Sequence, residues 1–171
     1  MTSPDYNLLP MTKLTHVDAG GKARMVDVSR KPPTRRQAVA RGTVTLSAEA
    51  FGSIRDNTAS KGDVLGVARI AGIGAAKRTA ELIPLCHALP LDVVEIKLEL
   101  DAGRRAVLIE ARASTRSRTG VEMEALTAVA VAALTVYDMI KAVDRAAVVS
   151  EIRLIEKSGG RSGRYKRPAG G

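Results

Sequence analysis

Aromatic residues are nearly absent from this chain: Tyr6, Phe51, Tyr137 and Tyr165 are the whole complement in 171 residues, and there is no tryptophan. A domain that binds RNA by stacking bases needs aromatic side chains on its central strands, and none of these four falls in a segment that reads as strand. A single cysteine, Cys86, excludes an intrachain disulfide framework and fits a reducing cytoplasm. The only histidines are His16 and His87. Cys86 adjoins His87, which is poor geometry for chelating one metal, so no metal site is expected. No basic segment followed by an apolar run opens the chain, and no apolar run reaches about eighteen residues without threonine or charge. Neither a secretion signal nor a membrane span is expected, and the expected location is cytoplasmic.

What the chain does have is positive charge, +9 in all. Its distribution matters more than its size. Residues 1–43 carry eight cations against three aspartates, the tail after Lys157 carries four cations and no acid, and the stretch between balances at fifteen of each sign. A neutral body with two basic ends predicts three parts: a basic N-terminal arm over 1–43, a neutral globular domain over 44–157, and a Gly-rich basic tail over 158–171. Such ends are either solvated or fold over a polyanionic ligand. Without aromatic platforms, nucleic acid could be held only nonspecifically through phosphates, so no specific nucleic-acid partner is expected.

The pattern of the body predicts one topology. Arg41 to Leu46 reads as a strand, and Ser47 as the N-cap of a short helix through Arg55. Ser60 to Asp63 has a capping-box pattern and opens a helix to about Ile83, ended by Pro84. Asp92 to Leu100 alternates, with Val94, Ile96, Leu98 and Leu100 on one face. A turn at Asp101 to Arg104 leads into its partner, Arg105 to Arg116. A long helix follows, and Val148 to Lys157 is a last strand. The order β, α(α), β, β, α, β predicts an α+β, ferredoxin-like (split βαβ) two-layer sandwich, with helices on one face of an antiparallel sheet.

The long helix is the most informative element. From Ala125 to Tyr137 it has no charged side chain, so it is expected to be buried in a core or against another subunit. Charges enter only at its ends. Thr119 and Glu122 have capping-box spacing, which accounts for Glu122 structurally; Glu124 has no such role. Asp138 and Lys141 lie at i and i+3, as a local ion pair or as part of a site. Sixteen residues separate Glu122 from Asp138, about 24 Å along a helix axis. One small pocket in one chain cannot hold both, so a site using both ends is shared between subunits.

Other residues carry weaker signals. Gly72 and Gly74 lack the third glycine and preceding strand of a dinucleotide fingerprint and are better read as close helix packing. Ser158 to Gly163 (SGGRSG) is no Walker loop, but such a run forms either a linker or an amide concavity for an anion. Lys61 stands at a helix N-terminal edge, where the macrodipole disfavours a cation. It is either an exposed loop lysine or a functional one with lowered pKa. His87 is either packed or a phosphate donor.

Six segments together resemble one family. Leu14 to Asp18 (LTHVD), Met25 to Ser29 (MVDVS), Lys61 to Thr79, Leu82 to Leu89 (LIPLCHAL), Gly120 to Val143 and Lys157 to Gly163 (KSGGRSG) are similar, in order, to the cyclic pyranopterin monophosphate synthase (MoaC) family of molybdenum-cofactor biosynthesis. The resemblance implies a ferredoxin-like subunit in a hexamer, a trimer of dimers, with pockets at the dimer interface. It implies a lyase that turns cyclised dihydro-GTP into a pyranopterin cyclic phosphate and releases pyrophosphate. It also implies Lys61 and Lys141 as catalytic lysines, Asp138 as their partner carboxylate, and His87 and Arg36 as triphosphate contacts. Glu122, Met123, Glu124 and Lys157 would line the pocket. No cofactor is implied beyond magnesium carried with the triphosphate. Ala88 departs from the proline usual in the family after the histidine. An inactive scaffold paralogue would lack one of these groups, and all are present.

Overall fold

The computed structural model describes residues 20–161 and 163–168. Tyr6, His16 and the LTHVD segment lie outside the described residues, as do 162 and 169–171. In chain order the elements are β1 (Thr34–Thr45), α1 (Ala48–Arg55), α2 (Val64–Lys77), α3 (Thr79–Leu82), β2 (Val93–Asp101), β3 (Ala106–Ser117), α4 (Glu122–Ile140), β4 (Val148–Ser158) and β5 (Tyr165–Lys166). The strands form one antiparallel sheet in the order β2-β3-β1-β4-β5. The helices cover one side of it, an α+β architecture.

Small side chains decide how the layers meet. The buried positions of β1 and β3 include Ala38, Ala40, Ala111 and Ala113, and α4 answers with Ala125, Ala128, Val129, Ala132 and Ala133, every one at most 1% exposed. With so little side chain between them, α4 lies close on β1, β3 and β4. Gly42 extends the same device, since a Cβ there would stand 2.6 Å from Val129 Cγ1. Gly72 lets α2 approach α4, because its missing Cβ would meet Ile96 Cδ1 and lie 2.8 Å from the Ala128 carbonyl oxygen. This packing explains a core with few aromatics. It also makes α4, apolar and nineteen residues long, a core helix: ten of its residues are buried.

The local signals are partly realised. Ser47 caps α1, its hydroxyl accepting from the Ala50 amide at 3.2 Å. The buried Asp144 carboxylate accepts from the Ser47 amide at 2.6 Å and from the Ala146 amide at 3.1 Å, tying the loop after α4 to the start of α1. The β2–β3 turn is closed by Asp101, which accepts from the Arg104 amide.

Several expectations need correction. Neither capping box forms. The cap of α2 is Asp63, which accepts from the Gly66 amide at 2.8 Å. The cap position of α4 is Val121, without a side-chain bond, and its first turn relies on acidic residues instead. The second helix does not run unbroken to Ile83. It ends at Lys77, Arg78 leaves helical geometry, and the Thr79 hydroxyl bonds back to the Ala75 and Ala76 carbonyls. β1 begins at Thr34, seven residues before the strand read from sequence, because pairing with β3 and β4 recruits its polar first half. Residues 34–43 of the predicted arm are therefore sheet. β5 has no counterpart in the sequence pattern, and it places Tyr165 on an edge strand, away from the central β1 and β3. Bulges shift the β1–β4 register at Val39/Ala40 and Arg41/Thr43, opposite a β4 that holds Glu151 at φ 54.

If the glycine seat sets the α2–α4 distance, Gly72→Val should destabilise the fold by about 1–3 kcal/mol. A chemical-denaturation midpoint lowered at unchanged slope is the expected readout.

Candidate active site

The C-terminal end of α4 gathers Lys61, Asp138 and Lys141. Asp138 accepts from Lys141 Nζ at 2.7 Å through Oδ1 and from Lys61 Nζ at 2.7 Å through Oδ2. Lys61 also donates to the Asp138 carbonyl at 3.0 Å. Lys61 reaches this end because α2 packs alongside α4 and the loop before Asp63 lies beside its last turn. All three side chains are about half exposed, open to a ligand. The Lys141 ammonium, followed by that of Lys61, holds the Asp138 carboxyl down to about 2. In return the Asp138 carboxylate raises the Lys141 pKa. A neighbouring cation alone would lower Lys141; the carboxylate that sits between the two ammoniums raises it instead.

The other end of α4 opens on a cleft of about 570 Å³. Glu122 pairs there with Lys157 of β4 at 3.1 Å. Arg36, near the start of β1, donates from Nε to the Ser117 carbonyl at 3.4 Å and from Nη2 to the Arg118 carbonyl at 3.3 Å. Gly159 and Gly160 close the cleft floor, and Lys31, Arg118 and Arg161 add positive charge. Glu122 is therefore the partner of a lysine across the sheet edge, not a cap.

A second cavity of about 350 Å³ adjoins the first, sharing Lys31, Thr119, Gly120 and Glu122 with it. His87, Met123 and Glu124 line it. His87 Nε2 lies 2.9 Å from the Val26 carbonyl, which can only accept, so Nε2 carries a proton. Glu124 is only 4% exposed. Burial pushes its pKa up, its own amide opposes this, and Glu122 adds to the rise. Burial, with the Glu124 carboxylate, also raises the Cys86 thiol, which disfavours a thiolate nucleophile.

All nine side chains singled out from sequence fall at one end or the other of α4. Lys61, Asp138 and Lys141 are together at one end; Arg36, His87, Glu122, Met123, Glu124 and Lys157 are at the other. The helix between them is unbroken. Sequence pattern does not single out Arg118, whose carbonyl anchors Arg36, or Lys31, which sits where the two cavities join. Only their place in basic stretches flanking the long helix and β1 hints at them.

The two ends of α4 thus give a small α+β domain a cationic, glycine-lined cleft that suits an anionic ligand, and a pair of exposed, carboxylate-bridged lysines. The particular family follows from likeness over the chain: residues 25–160 match the MoaC family, and this chain belongs to it. It is 63% identical over 157 residues to a cyclic pyranopterin monophosphate synthase of Thermomicrobium roseum, covering 92% of this chain and 95% of that protein. Equally named proteins of Heliobacterium modesticaldum and Chloroflexus aurantiacus are 60% and 57% identical. Those matches cover 92% and 91% of this chain and 99% and 96% of the relatives.

Two titrations test the electrostatics. The Asp138 carboxyl ¹³C signal should titrate with a midpoint near 2, and Lys141→Ala should move it toward 3.8. The linked stability is present above 3.8 and lost as pH falls through about 2. Glu124 has the opposite sign, since a raised carboxyl pKa means its ionised form is the costly one in the fold. Glu124→Gln should therefore raise the melting temperature above the folded pKa of Glu124 and change it little at acid pH.

Proposed function

We infer that the chain catalyses the cyclic pyranopterin monophosphate synthase reaction of molybdenum-cofactor biosynthesis. It is a lyase that converts cyclised dihydro-GTP (3',8-cyclo-7,8-dihydroguanosine 5'-triphosphate) to cyclic pyranopterin monophosphate and releases pyrophosphate. The observation that carries this is 63% identity to a protein of that name across 92% of the chain. The substrate is a nucleotide-derived small molecule, and the cationic cleft suits it. The strand order β2-β3-β1-β4, with α2 and α4 in the two crossovers, supports a ferredoxin-like reading of the subunit.

Rearranging the purine and ring-closing the phosphate both need protons moved near neutral pH. Asp138, ionised down to about 2, is too weak a base to drive such transfers. Its proposed role is to hold the two lysines in place. Lys141 and Lys61 are the proposed proton-transfer groups, one giving a proton and the other, as its free amine, taking the proton of the closing hydroxyl; the raised pKa of Lys141 means that it starts protonated. Closing the cyclic phosphate joins a sugar-derived hydroxyl to the α-phosphorus and breaks the bond to the β-phosphate oxygen. The departing pyrophosphate gathers negative charge, which Arg36, Lys157 and His87 are placed to stabilise. Glu122, Met123 and Glu124 form the wall against the rest of the substrate. Rearrangement and phosphate closure need no redox cofactor; magnesium would arrive bound to the triphosphate.

One chain holds these groups about 24 Å apart along α4. We therefore assign the site to two subunits, the C-terminal end of one α4 facing the N-terminal end of another. The outer face of α2 and α4 supports this, with Val67, Ile70 and Leu134 46%, 70% and 59% exposed. A homohexamer, a trimer of dimers in the cytoplasm, is the proposed assembly.

Incubation with cyclised dihydro-GTP should yield cyclic pyranopterin monophosphate and pyrophosphate, and their absence would overturn the assignment. Asp138→Asn, Lys141→Ala and Lys61→Ala should each lower turnover about a hundredfold or more without altering assembly. Near-normal turnover in these variants would leave a surface ion pair of a few tenths of a kcal/mol. Mixed oligomers of Lys61→Ala with Glu122→Ala should regain activity if the two ends come from different chains. Light scattering that reports a monomer at micromolar concentration would refute the shared site.

A further inference from the structure

We propose that Gly159 and Gly160 are positioning residues for Arg36, fixing the direction from which its guanidinium meets the phosphates. This rests on the reading of Arg36 as a triphosphate contact. β4 ends opposite β1 with Ser158 paired to Gln37, and the chain then turns back over the start of β1. Both glycines are in the left-handed region, at φ +98 and +74. A Cβ at Gly159 would meet the Arg35 carbonyl oxygen and lie 3.2 Å from Arg36 Cδ. One at Gly160 would occupy the place of the Arg36 guanidinium, in contact with Nη1 and 2.7 Å from Nη2. From the other side the Ser117 and Arg118 carbonyls accept from Nε and Nη2.

The guanidinium is thus held in a slot, two carbonyls on one side and a bare glycine backbone on the other. Of its five N–H groups, these bonds use two, leaving the rest for a ligand. A planar fork recognises phosphate through two parallel hydrogen bonds, so its orientation matters as much as its presence. A methyl group at residue 160 displaces the fork while leaving the charge in the cleft. The glycines act through Arg36 and not by touching substrate.

The test is a double-mutant cycle on the intact protein, read by calorimetric binding of inorganic pyrophosphate and by KM and kcat. Gly160→Ala should weaken pyrophosphate binding about tenfold, as should Arg36→Ala, and both should raise KM and lower kcat, since a displaced fork holds the departing pyrophosphate less well. Arg36→Ala/Gly160→Ala should bind no more weakly than Arg36→Ala alone. Gly163→Ala controls for backbone strain, since Gly163 has φ +64 and a Cβ there would meet nothing within 4 Å; it should bind like the parent. Wild-type binding by Gly160→Ala, additive losses in the double variant, or an equal loss in Gly163→Ala would overturn the proposal. If Gly160→Ala folds poorly, removing Arg36 should restore its melting temperature, and failure to do so would also overturn it. Unchanged binding in Arg36→Ala alone would instead sink the reading of Arg36 as a phosphate contact.

Discussion

The close seating of one straight helix on the sheet is the constraint on which the rest depends. Alanines on β1, β3 and α4, with Gly42 and Gly72, bring the backbones of the sheet, α4 and α2 near one another. α4 runs unbroken from Glu122 to Ile140. Its length then separates two groups of charged residues by about 24 Å. The same packing aligns α2 beside α4, which delivers Lys61 to Asp138.

The two ends use carboxylates differently. At the C-terminal end Asp138 is exposed and bridges two ammoniums, so it stays ionised and holds both side chains in place. At the N-terminal end two glutamates two residues apart meet opposite conditions. Glu122 faces Lys157 in the open cleft, while Glu124 is buried beside Cys86 and His87 and resists ionisation. The helix macrodipole favours both carboxylates there, yet burial decides for Glu124. A shallow surface and a deep wall thus come from one helical turn.

Much of the topology was legible because its signals are local and periodic. The alternation of Val94, Ile96, Leu98 and Leu100, the Ser47 cap and the apolar run of α4 each report on a few neighbouring residues. The misreadings have a common cause. Thr119 and Ser60 have capping-box spacing, but Lys157 claims Glu122 from across the sheet edge, and Asp63 caps α2 instead. The polar first half of β1 has no strand pattern of its own; its strand state comes from pairing with β3 and β4.

By itself the sequence determined the composition of the core, the order of the main elements, the charges at both ends of one long helix and the resemblance to a family. Those properties rest on residue type and short-range spacing. Tertiary structure decided which charge meets which: Asp138 between Lys61 and Lys141, Glu122 on Lys157, and Arg36 in a slot between the Ser117 and Arg118 carbonyls and Gly160. Partners 77, 35 and 81 residues apart leave no local trace, because their meeting depends on strand register and on the close approach of helices whose packed surfaces carry mostly small side chains.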